Sequence, residues 1–178
     1  MKQEYINFYK QIANYNPTKI LHIGGHIGQE GEIYKDICPF TFVEPIPKFA
    51  EIIFNKGYEV IKTAIGKEKG VRDFYIKDQI SSFLMTKVPH KQKKTTVNVV
   101  KLSDIQKGYD VLVVDVEGAT MEVLQSGKLD FKVIIVELRE EPAFIGEETK
   151  ETITGYLYTH GYKLVNSFER DYLFVKNY

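Results

Sequence analysis

The apolar residues of this chain fall into short runs separated by glycine, proline and charged residues. Four runs, at residues 20–23, 40–43, 110–115 and 132–137, are rich in Ile, Val, Leu or Phe and have the length of buried strands. Continuous aliphatic runs are typical of parallel strands that are covered on both faces. Apolar residues at helical spacing lie between the runs, so the pattern predicts alternating strands and helices.

Weaker patterns predict the remaining elements. Helices are expected over 4–13, 29–35, 48–55, 119–124 and 148–160, and further strands at 58–62, 71–76, 97–100, 162–165 and 172–175. The short turn between the last two strands indicates an antiparallel pair. Together these elements predict an open, doubly wound α/β sheet. We expect one domain over residues 1–178, with an N-terminal helix in 1–16 and the sheet-containing core in 17–178.

Residues 86–96 have the least regular pattern of the chain. Lysines and a histidine surround Pro89 there, with a basic loop between Lys87 and Lys94. One interpretation is a solvated loop. The other is a mobile lid, or a patch for an anionic substrate, and the spacing does not separate the two.

Composition narrows the class of protein. Lys and Arg together number 24, as do Asp and Glu, so the formal net charge is zero. This balance gives no electrostatic reason to expect nucleic acid or membrane as a partner. No apolar segment approaches the roughly 18 residues of a membrane span, and Cys38, as the one cysteine, excludes an internal disulfide. The simplest expectation is a cytoplasmic protein, whose oligomeric state the sequence does not set.

A glycine-rich turn follows the first predicted strand. Gly24, Gly25 and Gly28 allow a sharp turn and a close approach of the backbone to a ligand. Glu44 ends the second strand and follows Gly24 by 20 residues. At about this spacing a nucleotide-binding α/β unit places a carboxylate against ribose hydroxyls. The two features together predict a site for a nucleoside cofactor.

The glycine spacing distinguishes between cofactors. The dinucleotide pattern needs glycine at position 23, where this chain has Ile23, and the P-loop pattern is absent. The spacing Gly24-x-x-x-Gly28 is instead typical of S-adenosylmethionine sites. That cofactor carries no phosphate, so the loop does not need to bind an anion at a helix N-terminus.

Three predicted strands end in a carboxylate, namely Glu44, Asp115 and Glu137, and Glu117 lies just beyond Asp115. Ligands of such sheets bind outside the carboxyl ends of the strands, so these side chains should share one edge. The alternative is that Asp115 or Glu137 caps the following helix. A metal held by Asp115, Glu117 and a histidine is conceivable, but no ligand spacing marks one.

Two histidines flank the glycine turn. His22 lies on the first strand, where it either contacts the cofactor or is a hydrogen-bonded core residue. His26 lies in the turn itself and is expected to contact the ligand.

Several motifs in order resemble the FkbM family of S-adenosylmethionine-dependent methyltransferases. The resemblance runs from about residue 20 to residue 175, and its most specific part is the block 115–124, which begins Asp115-Val116-Glu117-Gly118. The other matching blocks are residues 21–30, 42–47, 64–70, 81–83 and 99–105.

The resemblance implies a Rossmann-like class I methyltransferase fold with a seven-stranded, mostly parallel sheet and an antiparallel last strand. It implies methyl transfer from S-adenosylmethionine, typically to a hydroxyl of a sugar, another glycan or a related small molecule. Asp115 would lie near the transferred methyl group. Apart from the resemblance, an alcohol acceptor must lose its proton, and Asp115 or Glu117 is expected either to accept it or to hold a metal that lowers the hydroxyl pKa. Glu117 and Glu137 are expected to contact the substrate. The positions implied for the cofactor are His22, Gly24, Gly25, His26, Gly28, Glu44, Pro45, Ala64, Ile65 and Asp115.

Two other functions remain compatible with the sequence. One is a different nucleotide-cofactor enzyme on a similar sheet. The other is a non-catalytic binding or scaffold module that has kept the fold.

Overall fold

The computed structural model describes residues 1–76, 81–87 and 93–177. Its helices are α1 (Gln3–Lys10), α2 (Gly31–Tyr34), α3 (Pro47–Asn55), α4 (Leu102–Ile105), α5 (Thr120–Gln125) and α6 (Lys150–Thr159), and a 3-10 helix spans Gln11–Tyr15. Its strands are β1 (Ile20–Ile23), β2 (Phe40–Val43), β3 (Glu59–Ile61), β4 (Ala64–Ile65), β5 (Gly70–Ile76), β6 (Lys93–Val100), β7 (Val111–Val114), β8 (Val133–Glu137), β9 (Tyr162–Phe168) and β10 (Asp171–Lys176).

Seven strands form the main sheet in the order β3-β2-β1-β7-β8-β10-β9. Within this sheet the five strands β3, β2, β1, β7 and β8 pair in parallel. Strand β10 runs antiparallel to both of its neighbours, β8 and β9. The predicted mostly parallel sheet with an antiparallel last strand is therefore confirmed. Because β1 and β7 lie side by side in the centre, their carboxyl ends open onto the same edge.

Alternation along the central strands builds two apolar layers. Ile20, Val111 and Val113 face the layer that contains α1, α2 and α3. Leu21 and Ile23 face the opposite layer, which contains α5 and α6. All five side chains are at most 2% exposed. Complete burial of one such side chain contributes about 1.5–3 kcal/mol, so these strands anchor the fold.

A second, three-stranded sheet has the order β4-β6-β5 and was not predicted as a separate layer. Its apolar face forms a small cluster from Ile46, Ala64, Phe74, Val97 and Val99. This sheet lies beside the carboxyl ends of β1 and β2, where it supplies one wall of the cavity described below.

The prediction for residues 86–96 was wrong in its second half. Lys93 and the residues after it pair with β5 as part of β6, and Lys94 lies 2.7 Å from Asp73 in an ion pair. The side chains of this stretch are exposed, so it carries no apolar pattern. His90 and Lys91 lie outside the described residues.

Element boundaries differ modestly from the expected ones. The N-terminal helix ends at Lys10 and continues as a 3-10 helix to Tyr15, because Asn16 adopts a left-handed conformation with φ 47° just before Pro17. The helix expected over 29–35 is shorter, at Gly31–Tyr34. None of the helices in the described ranges combines the length and apolar character needed to cross a bilayer.

Candidate active site

A cavity opens at the carboxyl ends of β1, β2 and β7. The space between its walls, together with the open solvent at its mouth, is about 610 Å³. The turn after β1, the ends of β2 and β7, the start of α3, the second sheet and residues 81–83 contribute to its wall. The lining residues are Ile23, Gly24, His26, Val43, Glu44, Pro45, Ile46, Phe49, Thr63, Ala64, Ile65, Phe74, Ser81, Ser82, Phe83, Asp115, Val116, Glu117 and Ala119.

Gly24 lets two strand ends approach each other. It has a φ of +93°, and a Cβ at this position would lie 1.8 Å from the backbone oxygen of Asp115. Its N–H donates to the Val43 carbonyl at 2.9 Å. A side chain at this position would push the turn away from Asp115, so glycine keeps the turn and the carboxyl group on one cavity wall.

Gly25 and Gly28 lie in the turn on the side that packs against Phe42 and Ile53, and they do not line the cavity. A Cβ on Gly25 would lie 2.8 Å from the Phe42 ring, and one on Gly28 would lie 3.2 Å from Ile53. The N–H of Gly28 donates to the Gly25 carbonyl at 2.7 Å, which closes the turn. Their contribution is to the path of the backbone.

Glu44 lies on the cavity wall at the end of β2. One carboxylate oxygen accepts the N–H of His26 and the other accepts the N–H of Ile46, each at 2.8 Å. The side chain is buried, and this burial raises the pKa of Glu44 to about 7, although the two backbone donors oppose the shift. Each oxygen has a second lone pair that can accept a further hydrogen bond.

His26 lines the cavity in a backbone conformation that is uncommon for a residue with a side chain, with a φ of +43°. Its ring packs edge-to-face on Phe49, with centroids 4.3 Å apart. Partial burial lowers the pKa of His26, so the imidazole is neutral at pH 7 and has one donor and one acceptor nitrogen.

His22 occupies the position of a core residue. Its Nδ1 lies 3.0 Å from the Tyr34 hydroxyl, and its ring packs against those of Tyr34 and Phe42. The side chain is 1% exposed and does not line the cavity. Burial lowers the pKa of His22, so it is neutral in the fold. Of the two interpretations drawn from the sequence, the hydrogen-bonded core residue describes its place.

Asp115 follows β7 and faces the glycine turn. Its N–H donates to the Ile23 carbonyl at 2.9 Å, which continues the β1–β7 ladder into the cavity. Burial, reinforced by the neighbouring carboxyl of Glu137, raises the pKa of Asp115 well above its usual range. Asp115 is therefore a much stronger base than an exposed aspartate.

Glu137 lies outside the cavity lining, beside Asp115. Its carboxylate oxygens are 3.9 Å from Arg139 and 3.7 Å from Arg170. Neither Asp115 nor Glu137 caps a helix. Helix α5 has no side-chain cap, and α6 is capped by Thr149, whose hydroxyl accepts the Thr152 N–H.

Glu117 pairs with Arg139, a residue that the sequence analysis did not single out. Arg139 lies two residues beyond Glu137, and a period of two places both on the same side of an extended segment. That spacing marks Arg139 as a neighbour of Glu137, whereas its pairing with Glu117 has no local sequence signal. Burial raises the pKa of Glu117, whereas the Arg139 charge opposes the rise.

Residues 81–87, called the roof segment here, cover the side of the cavity next to Glu117. The Ser82 hydroxyl donates to the Glu117 carbonyl and accepts the Leu84 N–H at 3.0 Å. Phe83 packs edge-to-face on Phe74, with centroids 5.3 Å apart.

The far end of the roof segment pairs with residues 143–145. Lys87 donates its N–H to the Ala143 carbonyl, and Ile145 donates its N–H to the Met85 carbonyl, each at 2.9 Å. The backbone near Lys87, expected to be a solvated loop or lid, is thus bonded to another loop.

The structure thus brings most of the candidate residues to one cavity and leaves four outside its lining. Among the described residues, no group of three or more His, Cys, Asp or Glu is arranged to hold a metal ion. The candidates on the lining are Gly24, His26, Glu44, Pro45, Ala64, Ile65, Asp115 and Glu117, and those outside it are His22, Gly25, Gly28 and Glu137.

Comparison with known proteins gives a family and a fold. The sequence model described as the methyltransferase FkbM domain matches residues 22–164, which confirms the resemblance drawn from the motifs. No curated protein matches the sequence of this chain.

Solved methyltransferase structures match almost the whole chain. Magnesium protoporphyrin IX methyltransferase from Synechocystis PCC 6803, solved with bound S-adenosylmethionine, is 10% identical, with a TM-score of 0.59 and coverage of 98% of this chain and 79% of that one. The ribosomal protein L11 methylase of Lactobacillus delbrueckii subsp. bulgaricus is 9% identical, with a TM-score of 0.52 and coverage of 99% and 81%. Likeness at such low identity confirms the Rossmann-like class I methyltransferase fold and says nothing about the methyl acceptor.

Proposed function

The chain belongs to the FkbM methyltransferase family, and on that premise we propose that it methylates a hydroxyl group of a sugar or a related small molecule. The observation that carries this proposal is the position of Asp115, a carboxyl group of raised pKa on the wall of the cavity at the strand ends. When bound, S-adenosylmethionine supplies a methyl group on a positively charged sulfonium, which is already activated for transfer.

The residues of the β2 side fit this cofactor. Glu44 has one acceptor position left on each of its two oxygens, which matches a pair of neighbouring ribose hydroxyls. Ala64 and Ile65 form an apolar wall next to it, suited to the flat face of an adenine. Gly24 and His26 bound the same space from the β1 side. We assign ribose binding to Glu44 and adenine contact to Ala64 and Ile65.

The charge of the cavity also fits a cationic cofactor. Glu44, Asp115 and Glu117 lie on its wall, and none of its described lining residues is Lys or Arg. A cation close to these carboxyl groups favours their charged form and lowers their pKa values. The loaded site therefore holds Asp115 ionised at a lower pH than the empty site does.

Asp115 is assigned as the base that takes the hydroxyl proton of the methyl acceptor. Once it is ionised, a carboxylate with a raised pKa is a better general base than an ordinary aspartate. Glu117 is a weaker base, because its charge is compensated by Arg139. Its assigned role is to accept a hydrogen bond from the methyl acceptor and orient it.

Aromatic side chains on the cavity wall support a chemical class for the acceptor. Phe83, Phe74 and Phe49 present aromatic surface to the cavity, which suits the apolar faces of a ring. With carboxylates as the charged groups on the described lining, a neutral acceptor fits better than a phosphorylated one. This is the reason to test unphosphorylated glycans first.

The decisive test combines cofactor binding with two isosteric substitutions. Asp115→Asn should lower kcat by about 100-fold or more, the usual contribution of a general base, and keep its affinity for S-adenosylhomocysteine within a few-fold. Glu117→Gln should mainly raise KM for the methyl acceptor. The measurements are calorimetric titration and transfer of labelled methyl groups to neutral glycans.

Two outcomes would contradict the proposal at different levels. Full activity of Asp115→Asn on the true acceptor would remove the base assignment and leave cofactor binding intact. If the folded protein did not bind S-adenosylhomocysteine, a non-catalytic role of the fold would replace methyl transfer.

A further inference from the structure

A partly buried arginine, Arg139, lies among three carboxylates at the edge of the cavity. The guanidinium of Arg139 contacts Glu117 directly, and its nitrogens are 3.9 Å from Glu137 and 3.7 Å from Glu147. The side chain of Arg139 is 14% exposed, and those of the three glutamates are between 10% and 17% exposed. Three negative groups thus share one cation in a mostly dry environment.

Glu147 fixes this arrangement to the backbone. One of its oxygens accepts the N–H groups of Ala143 and Phe144, at 2.6 and 3.0 Å, while the other faces Arg139. Phe144 is fully buried, and the guanidinium lies 5.5 Å from the centre of its ring. Since Ala143 also bonds to Lys87 of the roof segment, Arg139 is anchored to the loop that carries the roof.

Glu117 is the point where this cluster meets the cavity. Its main-chain carbonyl is bound by Ser82 of the roof segment and its side chain by Arg139. The charged groups that face it are Arg139, Glu137 and Glu147. Burial and the two glutamates favour the protonated form of Glu117, and Arg139 is the group that opposes them.

We propose that Arg139 is a positioning residue, which holds the Glu117 carboxylate charged and oriented on the methyl-acceptor side of the cavity. The proposal rests on the function proposed above, because it explains how Glu117 is ready to orient an acceptor. Stability alone is a weak reason for the arrangement. A buried cation surrounded by excess negative charge adds little net stability, since desolvation offsets the attraction.

The test is a titration of the Glu117 side-chain carboxyl by carbon-13 NMR, with Glu117→Gln to assign its signal. Removal of the charge in Arg139→Gln should raise the pKa of Glu117 by about 1–3, the usual effect of a nearby opposite charge. Arg139→Lys keeps the charge without the planar fork and should give a smaller rise. Arg170→Gln is the matched control, because Arg170 is 61% exposed and contacts Glu137 rather than Glu117.

The same variants are then compared in catalysis. KM for the methyl acceptor should rise as Glu117 is protonated, and the pH at which it rises should move upward in Arg139→Gln by the same amount as the pKa measured by NMR. Once this rise lies above pH 7, KM at pH 7 should approach the value of Glu117→Gln, because a protonated glutamate resembles the neutral amide. Affinity for S-adenosylhomocysteine should stay within about twofold, and Arg139→Lys should recover part of the lost activity.

Each contrary result has a separate meaning. An unchanged titration of Glu117 in Arg139→Gln, or a changed titration with an unmoved pH profile, would overturn the positioning role. If Arg139→Gln did not fold, the smaller rise expected in Arg139→Lys would decide the question. A wild-type protein that bound no S-adenosylhomocysteine would remove the proposed function, whereas the NMR titration would still test the pairing.

Discussion

The two glutamates on opposite sides of the cavity are fixed in different ways. Glu44 is bound by two main-chain N–H groups, from His26 and Ile46, which lie in the turn and strand end around it. Glu117 is bound by the side chain of Arg139, 22 residues further along the chain. The first side of the cavity is therefore set by the path of the backbone, whereas the second depends on a few particular side chains.

This difference matches the tasks proposed for the two sides. A cofactor that is the same for every member of a family can be bound by geometry that is built into the sheet. A methyl acceptor differs between enzymes, and side-chain contacts between distant loops can change without disturbing the sheet. We therefore expect substitutions on the Glu44 side to affect folding and cofactor affinity together, and those on the roof side to affect acceptor kinetics without changing cofactor affinity.

The largest expected effect on this comparison is that of Gly24→Ala. The added Cβ would lie 1.8 Å from the main-chain oxygen of Asp115, and Gly24 has a φ of +93°. The strained conformation and the forced displacement of the backbone each cost about 1–3 kcal/mol. Chemical denaturation should show the sum of the two costs, about 2–6 kcal/mol, and calorimetry should show no measurable binding of S-adenosylhomocysteine.

Gly57→Ala is the matched control. Gly57 has a similar φ of +82°, but a Cβ there would meet nothing within 4 Å. The expected cost is therefore only the strain of about 1–2 kcal/mol, with normal cofactor affinity. If both variants lost the same stability and both bound the cofactor, the close approach of Gly24 to Asp115 would have no role in the site.

The same contrast explains what could be predicted from the sequence. Strands β7 and β8 were expected at 110–115 and 132–137 and occur at Val111–Val114 and Val133–Glu137. Their side chains are buried on both faces, so the aliphatic run marks the strand without ambiguity. The second sheet escaped prediction because β4 has only two residues and the first half of β6 is polar and exposed.

The residues of the candidate site also fall into those that the sequence predicts and those that it does not. Gly24, Glu44 and Asp115 were predictable because each lies at the end of an apolar strand, and the ends of parallel strands share one edge. The contacts of Arg139 and Ser82 join residues that are 22 and 35 positions apart along the chain. Such contacts depend on how loops pack, which a local pattern does not encode.

The next largest effect is expected for Glu44→Gln. The amide keeps one acceptor but turns its NH2 group toward a backbone donor, and it loses the charge. Hydrogen bonds to a charged group contribute about 1.5–3 kcal/mol, so affinity for S-adenosylhomocysteine should fall by about 10- to 100-fold. Because ribose hydroxyls need the ionised carboxylate, wild-type affinity should rise with pH up to about 7, and the variant should show no such rise.

Stability gives an independent measure of the same group. The pKa of Glu44 is about 7 in the fold and 4.5 as its usual value, so the folded protein binds more protons between these pH values. The free energy of unfolding therefore falls as pH rises through this window, by up to about 3 kcal/mol from Glu44. Asp171, whose burial also raises its pKa to about 7, adds a fall of the same sign in both proteins. A slope that is equal in wild type and Glu44→Gln would contradict the burial argument.

The smallest effect, and the sharpest test of independence, is expected for Ser82→Ala. The substitution removes a buried hydroxyl that donates to the Glu117 carbonyl and accepts the Leu84 N–H. Loss of these bonds should cost about 1–2 kcal/mol of stability and loosen the roof segment above the methyl acceptor. KM for the acceptor should rise about three- to tenfold, since 1 kcal/mol of binding is about fivefold, while affinity for S-adenosylhomocysteine stays constant.

The matched control is Ser103→Ala, on the exposed side of α4 and outside the cavity lining, which should change neither KM for the acceptor nor affinity for S-adenosylhomocysteine. If cofactor affinity fell in parallel with acceptor affinity in Ser82→Ala, the two sides of the cavity would form one cooperative unit, and the division between a backbone-built and a side-chain-built half would not hold.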